Sequence, residues 1–286
     1  MKKNIFYILL SLIILFLLFK NNQDISINIL SISYLFLSKV LVFLFPIFII
    51  SKILINYNFP YYISKLFNNN IFFYIFFMSF ISGSPNNAYL IKDLLNKNII
   101  NIKEANKYIK CSFFNNPLFL YSMLSKIFNK KIAIYIIVIQ ILSNLIIYFI
   151  KPIKNNNIYK IKPINFSTLI INSIKEGIDV FASVYLTIIL FNILISILPY
   201  YFNSIIGIIE LTQGLDYLRY LNINLLIKMI LANIFISFGG LSIHLQVKSA
   251  LQDTLINYNN FLYFRIIQII LSLFILITTF RIIIYS

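Results

Sequence analysis

The sequence predicts an all-α polytopic membrane protein in which transmembrane helices accompany two re-entrant or broken helical hairpins, arranged in two repeat-like halves. Hydrophobic residues make up 60% of the 286 residues, and charged residues make up only 11%. A soluble domain carries about 25% charged residues, and a soluble fold of this length has too little interior to bury so much apolar surface. The lipid bilayer is therefore the expected environment of the chain.

The charge balance of the chain is strongly basic. The formal net charge is +16, from 24 Lys and Arg against 8 Asp and Glu. Most lysines lie between apolar runs, where the positive-inside rule places them on cytoplasmic loops, so we do not expect nucleic-acid binding. Cys111 is the only cysteine and His244 the only histidine, which argues against a disulfide framework and a metal cluster. The sequence contains no phosphate-binding loop, HExxH motif or nucleophile elbow, so we expect neither a cofactor nor catalysis.

The first half, residues 1–150, begins with an apolar run over residues 5–19. This run predicts an uncleaved first helix, because no small-residue cleavage site follows it. A longer run over residues 27–55 contains Lys39, for which two interpretations stay open. An ionisable residue inside a membrane span suggests a functional role, whereas a lysine at the edge of a span extends its ammonium group to water.

The next apolar run, residues 71–81, is shorter than the roughly 20 residues that cross a bilayer. It ends in Ser-Gly-Ser-Pro-Asn-Asn at residues 82–87, and a helix with polar positions is expected over residues 88–98. Ser84 is expected to cap this returning helix, with Pro85 in the first helical position. The order of these segments predicts a re-entrant hairpin, since a turn inside the membrane must face protein or a watery cavity.

Another helix start and another break follow in the first half. Asn101 and Glu104 have the spacing of a capping box, which places the start of a helix there. That helix meets Asn115-Asn116-Pro117, where the proline cannot donate to the helix and clashes with the preceding turn. We expect the two amide side chains and the freed carbonyl to form a polar cluster suited to a carboxylate or a ring nitrogen.

The two halves are separated by a basic linker, residues 151–176, which holds five lysines and is expected in the cytoplasm. A clean span over residues 132–150 precedes it. The second half, residues 177–286, is predicted to contain helical segments over residues 178–201, 205–221, 223–238, 241–251 and 261–284.

A second glycine-containing break interrupts this half at Gly239-Gly240. The triplet Phe-Ile-Ser lies at residues 80–82 before the first break and at residues 235–237 before the second. A single break is more often a kink than a site, but duplicated halves with discontinuous helices are the usual build of secondary transporters. Amides at the start of each returning helix carry partial positive charge and would form a seat for an anion.

The predicted site residues belong to these breaks. The candidate substrate-binding residues are Ser82, Gly83, Ser84, Asn86, Asn87, Asn115, Asn116, Gly239, Gly240, Ser242 and His244. The candidate coupling residues are Glu210, Thr212, Gln213 and Lys39. Glu210 is equally compatible with an exposed loop acid, and His244 with a satisfied interior histidine. Arg265 is expected to extend its charge to the membrane surface, and no residue is predicted to bind a metal.

In these segments the sequence resembles the nucleoside-transporter and ferrous-iron-transporter Gate domain superfamily, and within it the sporulation integral membrane proteins of the YlbJ type. The resemblance rests on Ser-Gly-Ser-Pro-Asn-Asn-Ala at residues 82–88, Phe-Phe-Asn-Asn-Pro-Leu-Phe at residues 113–119, Glu-Leu-Thr-Gln-Gly at residues 210–214, and Phe-Gly-Gly-Leu-Ser-Ile-His-Leu-Gln-Val at residues 238–247.

The resemblance implies a transporter or facilitator with two Gate-type hairpins in a bacterial cell membrane, with the forespore membrane as the family's setting. The implied substrate is a small anionic aromatic solute, dipicolinate during sporulation. A nucleoside-type transporter is one alternative. Another is a non-transporting scaffold or assembly protein of spore formation, which would leave no cavity between the two breaks. A small-molecule substrate is the expected partner, and a homo-oligomer is compatible with each reading.

Overall fold

The computed structural model describes residues 2–150, 160–198 and 205–285. Within these residues the chain forms α-helices and one π-helix, and no strand. The helices are α1 Lys2–Lys20, α2 Asn22–Leu35, the π-helix Phe36–Leu41, α3 Val42–Asn56, α4 Phe59–Leu66, α5 Phe72–Ser82, α6 Asn86–Asn96, α7 Ile102–Cys111, α8 Pro117–Leu124, α9 Lys130–Ile150, α10 Phe166–Ile197, α11 Ile206–Ile209, α12 Leu211–Tyr220, α13 Leu225–Phe238, α14 Gly240–Leu251 and α15 Tyr258–Tyr285.

Four segments of the described chain are long and apolar enough to cross a membrane. They are α9, α10, the joined helices α13 and α14, and residues 258–280 of α15. A bent pair also meets the same criteria when its two parts are taken as one span: residues 25–38, which run from α2 into the π-helix, and α3. These helices confirm the predicted all-α polytopic membrane protein.

The predicted helix starts are partly confirmed. Asn101 accepts a hydrogen bond from the Glu104 amide at 2.9 Å, and the Glu104 carboxylate accepts one from the Asn101 amide at 2.8 Å, which is the predicted capping box. The helix after the first glycine break, in contrast, begins at Asn86, and the prediction of Ser84 as its cap is wrong. The Ser84 hydroxyl donates to the Asn87 side chain instead of accepting from a backbone amide.

The span after the linker begins earlier than the sequence predicts. Helix α10 starts at Phe166, where the Asn165 side chain caps it by accepting a hydrogen bond from the Ser167 amide at 3.1 Å. The last part of the predicted linker 151–176 therefore belongs to α10, and residues 151–159 lie outside the described residues. Charged positions near the start of a long helix resemble a loop in composition, which explains the difference.

The second predicted hairpin, in contrast, lies elsewhere. Helices α13 and α14 form one span of 27 residues, Leu225–Leu251, so Gly239 and Gly240 break a span and are not the tip of a hairpin. The short hairpin of this half is formed by α11 and α12, which meet where Gly207 and Gly214 lie against each other. A Cβ atom on Gly214 would lie 2.1 Å from the Gly207 Cα, so the two short helices can pack together only because these residues are glycines.

The returning helix α6 is held by ion pairs at one end of the bundle. We call this the linker end, since α3 and α9 end there and α10 begins there. Lys52 of α3 lies 2.6 Å from the Asp93 carboxylate of α6 and also pairs with Glu176 of α10. The neighbouring Lys92 of α6 pairs with Asp253, after α14, at 3.4 Å. These contacts fasten α6 to the spans on both sides.

The largest buried side chain with a charge is Arg265 in α15, which is fully buried. Its guanidinium donates to Gln268 and to the carbonyl of Lys110 near the end of α7, and it stacks on the ring of Phe113. The prediction that Arg265 extends to the membrane surface is therefore wrong. A positive charge at the carbonyl end of α7 is favourable, because that end of a helix carries partial negative charge.

Candidate functional site

The first break, between α5 and α6, rests on the break between α7 and α8. Gly83 has φ +69°, and a Cβ atom there would lie 2.6 Å from the backbone nitrogen of Asn116, so a side chain does not fit. The Ser84 amide donates to the Phe114 carbonyl at 2.7 Å. The Asn116 side chain donates to the Ile81 carbonyl at 2.8 Å. These bonds use the polar backbone groups that a break inside a membrane would otherwise leave free.

The break between α7 and α8 also caps a helix. The Asn116 side chain accepts a hydrogen bond from the Phe119 amide at 3.0 Å, and Pro117 occupies the first turn of α8. Asn115 points the other way and donates to the Ile236 carbonyl of α13 at 3.1 Å. The two amide side chains therefore point apart, and each donates to a backbone carbonyl of a different break, so they do not form the joint polar cluster that the sequence predicts. They connect the first hairpin with the broken span of the second half.

The hairpin of α11 and α12 contacts the break between α13 and α14 through a glycine and a helix cap, as the first two breaks do. Glu210 caps α12, and its carboxylate accepts hydrogen bonds from the Gln213 amide at 2.8 Å and from the Thr212 hydroxyl. Gly240 has φ +77°, and a Cβ atom there would lie 3.0 Å from the backbone nitrogen of Leu211. The two halves thus share one arrangement. Gly83 lies against the backbone at the start of α8, and Gly240 lies against the backbone at the start of α12.

The two pairs of breaks touch at the centre of the bundle. Gly239 has φ +90°, and a Cβ atom there would lie 2.5 Å from Cζ of Phe113. The carbonyl of Phe113 in turn accepts a hydrogen bond from Asn144 of α9 at 2.6 Å. Four breaks that are distant in sequence thus meet in one place.

A cavity of about 520 Å³ lies at this junction. Six of the predicted site residues line it: Ser84, Asn115, Asn116, Glu210, Thr212 and Ser242. Sequence reasoning missed Gln246, Ser38 and Ser122, together with the aromatic walls Phe43, Phe119 and Phe181. Gln246 lies one helical turn after Ser242, so the periodicity of α14 could have identified it.

Other predicted residues support the breaks and do not line the cavity. They are Ser82, Gly83, Asn86, Asn87, Gly239, Gly240, His244 and Gln213. Asn87 accepts from the Ser84 hydroxyl and donates to the Ser112 carbonyl at 3.0 Å. The His244 ring is hydrogen-bonded to the Tyr258 hydroxyl at 2.8 Å and to the Phe238 carbonyl at 3.0 Å. Lys39 lies in the π-helix, and its side chain is outside the described residues.

Several polar side chains around the cavity lack a hydrogen-bond partner. The Ser242 hydroxyl and the Gln246 amide nitrogen line the cavity, are buried, and have none. The side chain of Asn86 next to Pro85 has neither a donor nor an acceptor partner, and neither does the hydroxyl of Ser82. An unpaired buried polar group is unfavourable by about 1–3 kcal/mol, so these groups need a polar occupant or water.

The electrostatics of the cavity combine one acid with several helix starts. The wall includes Pro85, Asn116 and Leu211 at the starts of α6, α8 and α12, and Ser242 in the first turn of α14. The N-terminus of each helix carries partial positive charge. Within the part of the chain that the structure describes, Glu210 is the only charged residue that lines the cavity. Burial raises the pKa of the Glu210 carboxyl, while the hydrogen bonds from Thr212 and Gln213 oppose that shift. The wall therefore combines partial positive charges at helix starts with one buried carboxyl, and that carboxyl already accepts hydrogen bonds from the first turn of α12.

Comparison of the chain with protein-family models, curated proteins and solved structures finds no match. Among the described residues, no group of three or more His, Cys, Asp or Glu side chains lies close enough together to hold a metal ion.

Proposed function

We propose that this polytopic membrane protein transports a small anionic aromatic solute through the cavity between its four helix breaks. The observation that carries the proposal is the convergence of four helix N-termini and unpaired polar side chains on one cavity within a set of apolar spans. Discontinuous helices that surround a polar site are the usual architecture of secondary transporters.

The composition of the cavity wall supports a flat, partly apolar solute. Phe43, Phe119 and Phe181 supply aromatic surface, and Ser84, Ser242 and Gln246 supply hydrogen-bonding groups. Dipicolinate, the substrate implied by the resemblance to the YlbJ-type sporulation proteins, combines an aromatic ring with two carboxylates. The helix N-termini would receive the carboxylates, and in this proposal the protein acts in a bacterial membrane during sporulation.

Glu210 gives the proposal a coupling mechanism. An anion that enters the cavity would repel the Glu210 carboxylate, and the repulsion is removed when the carboxyl takes up a proton. Thr212 and Gln213 hold the carboxyl in place as hydrogen-bond donors. Transport of an anion would therefore be accompanied by proton uptake.

A second candidate is a nucleoside-type transporter. Among the described residues that line the cavity none is basic, and the only charge is that of an acid. A neutral aromatic solute with hydroxyl groups would meet no charge repulsion and could donate hydrogen bonds to Glu210. A non-transporting scaffold is less well supported, because it would leave no cavity between the breaks.

A binding screen tests the proposal and separates the candidates. We expect dipicolinate to raise the unfolding temperature of the purified full chain, by an amount equivalent to about 2.7 kcal/mol at one hundred times its Kd. The variant Ser242→Leu, which replaces a hydrogen-bonding group of the cavity wall by a larger apolar side chain, should abolish the shift. Stabilisation by nucleosides and not by dipicolinate would favour the second candidate. Stabilisation by neither, in a folded protein, would overturn the transport proposal.

A further inference from the structure

A second cavity, of about 690 Å³, lies between α10, the end of α14 and the connection to α15. Leu245, Lys248 and Ser249 line it, whereas Ser242 and Gln246 of the same helix line the first cavity. The two cavities thus lie on different faces of α14. We call the second one the Lys248 groove.

The wall of the Lys248 groove is unusually polar for the outer surface of two membrane spans. Helix α10 contributes Ser183 and Thr187, and α14 contributes Lys248 and Ser249, both of which are exposed. Surface that faces hydrocarbon is expected to be apolar, because polar groups in lipid have no water to bind. The Thr187 hydroxyl donates to the Ser183 carbonyl within α10 at 2.7 Å. The group of the wall that calls for an occupant is therefore the Lys248 ammonium, which forms no ion pair among the described residues.

The charge of the groove is positive. Lys248 is the only charged residue among the described residues that line it. Asp253, next to the groove residue Gln252, is paired with Lys92 at 3.4 Å, and Asp179 lies one turn before Ser183 without lining the groove. An ammonium group, the Ser249 hydroxyl and the Gln252 amide are suited to bind a phosphate group.

The depth of the groove corresponds to the headgroup layer. Lys248 lies three residues before the end of the span Leu225–Leu251, which is about 4.5 Å along a helix. The groove is at the linker end of the bundle, because Lys92 and Asp253 join α6 to the chain just after α14 there. By the positive-inside rule, the five lysines of residues 151–176 predict that this end is cytoplasmic, and the cytoplasmic leaflet contains the anionic lipids.

We infer that the Lys248 groove binds the headgroup phosphate of an anionic phospholipid. Lys248 supplies the charge, Ser249 and Gln252 supply hydrogen-bond donors, and Ser183 and Thr187 line the side nearer the membrane centre. The inference is independent of the transported solute, because the groove does not share a lining residue with the first cavity.

Native mass spectrometry of the full chain in detergent, with phosphatidylglycerol and phosphatidylcholine offered at equal concentration, tests the inference. We expect preferential retention of phosphatidylglycerol and a roughly tenfold weaker affinity in Lys248→Gln, which corresponds to about 1.4 kcal/mol. Lys248→Arg should retain the preference. Lys228→Gln is the matched control, since Lys228 lies three residues after the start of the same span, at its opposite end.

Three outcomes would overturn the inference. The first is equal retention of the two lipids by the wild-type protein, and the second is an unchanged preference in a folded Lys248→Gln variant. The third is complete displacement of the lipid by inorganic phosphate at the same concentration, which would assign the groove to a free anion. A change of oligomeric state in Lys248→Gln without a change in lipid retention would assign it to a second copy of the chain and would equally contradict the lipid site.

Discussion

Gly83 and Asn116 are in backbone contact: a Cβ atom on Gly83 would lie 2.6 Å from the Asn116 nitrogen. The same relationship joins Gly240 to Leu211 in the second half, at 3.0 Å. In both places a glycine with positive φ lies against the first turn of a helix whose cap, Asn116 or Glu210, lines the cavity. The cavity therefore depends on two close backbone contacts.

The contact at Gly83 predicts a strong effect of a single methyl group. Gly83→Ala should destabilise the fold by about 1–3 kcal/mol, because the new side chain requires an unfavourable φ and collides with backbone. Gly177→Ala is the control, since a Cβ atom there would meet the ring of Phe45, a side chain that can shift. Chemical unfolding in detergent measures both. Equal stability of Gly83→Ala and the wild-type protein would show that the two breaks are not in contact.

The cap at Asn116 predicts a combined loss of stability and binding. Asn116→Ala removes a helix cap, for which about 1 kcal/mol is typical, and also the bond to Ile81. Solute affinity should fall as well, because Asn116 lines the cavity. Asn165→Ala removes an equivalent cap from α10 at the linker end and should lower stability without a change in affinity. Isothermal titration of both variants distinguishes the two roles, and similar affinities would remove Asn116 from the site.

The carboxyl of Glu210 predicts a pH dependence of stability. Because burial raises its folded-state pKa, the folded protein holds a proton more tightly than the unfolded chain does. The free energy of unfolding should therefore fall as the pH rises from the unfolded value of about 4.3 through the raised folded value. In Glu210→Gln this contribution should be absent. Unfolding curves across that pH range provide the measurement, and parallel profiles for the two proteins would contradict the assignment.

The ion cluster at Lys52 predicts unequal effects of two lysines that hold the same helix. Lys52→Gln should destabilise the protein by about 3 kcal/mol, the lower end of the range for a broken buried pair, since Glu176 is half exposed. Lys92→Gln breaks an exposed pair with Asp253 and should change stability by less than about 1 kcal/mol. Thermal unfolding of the two variants compares them, and equal losses would mean that Lys52 is not a buried anchor of α6.

Much of the membrane fold and part of the site could be predicted from local sequence signals. The breaks at Gly83 and at Asn116-Pro117 can be recognised from a few neighbouring residues, because glycine and proline alter the backbone conformation directly. The sequence does not reveal the break at Glu210, since an acid followed by the polar residues 212–213 resembles a loop. In the structure, the Glu210 side chain is buried and caps α12.

The pairing of the breaks could not be predicted in the same way. It depends on packing between residues that are far apart in the chain, such as Asn115 and Ile236. The sequence pattern predicts a hairpin at residues 239–240, whereas the span continues through these two glycines to Leu251. Local composition identifies a break, but only tertiary contacts decide whether the chain turns back or continues.

The most direct test of the central claim is uptake of radiolabelled dipicolinate and of a nucleoside into proteoliposomes that contain the full chain. The wild-type protein is expected to accumulate the solute that stabilises it. Ser242→Leu should reduce the rate by about tenfold, because it replaces a hydrogen-bonding group of the cavity wall by a larger apolar side chain. The matched variant Ser26→Leu, at an exposed position of α2 that lines neither cavity, should transport at the wild-type rate. Equal uptake by Ser242→Leu and the wild-type protein would show that the solute does not pass through this cavity.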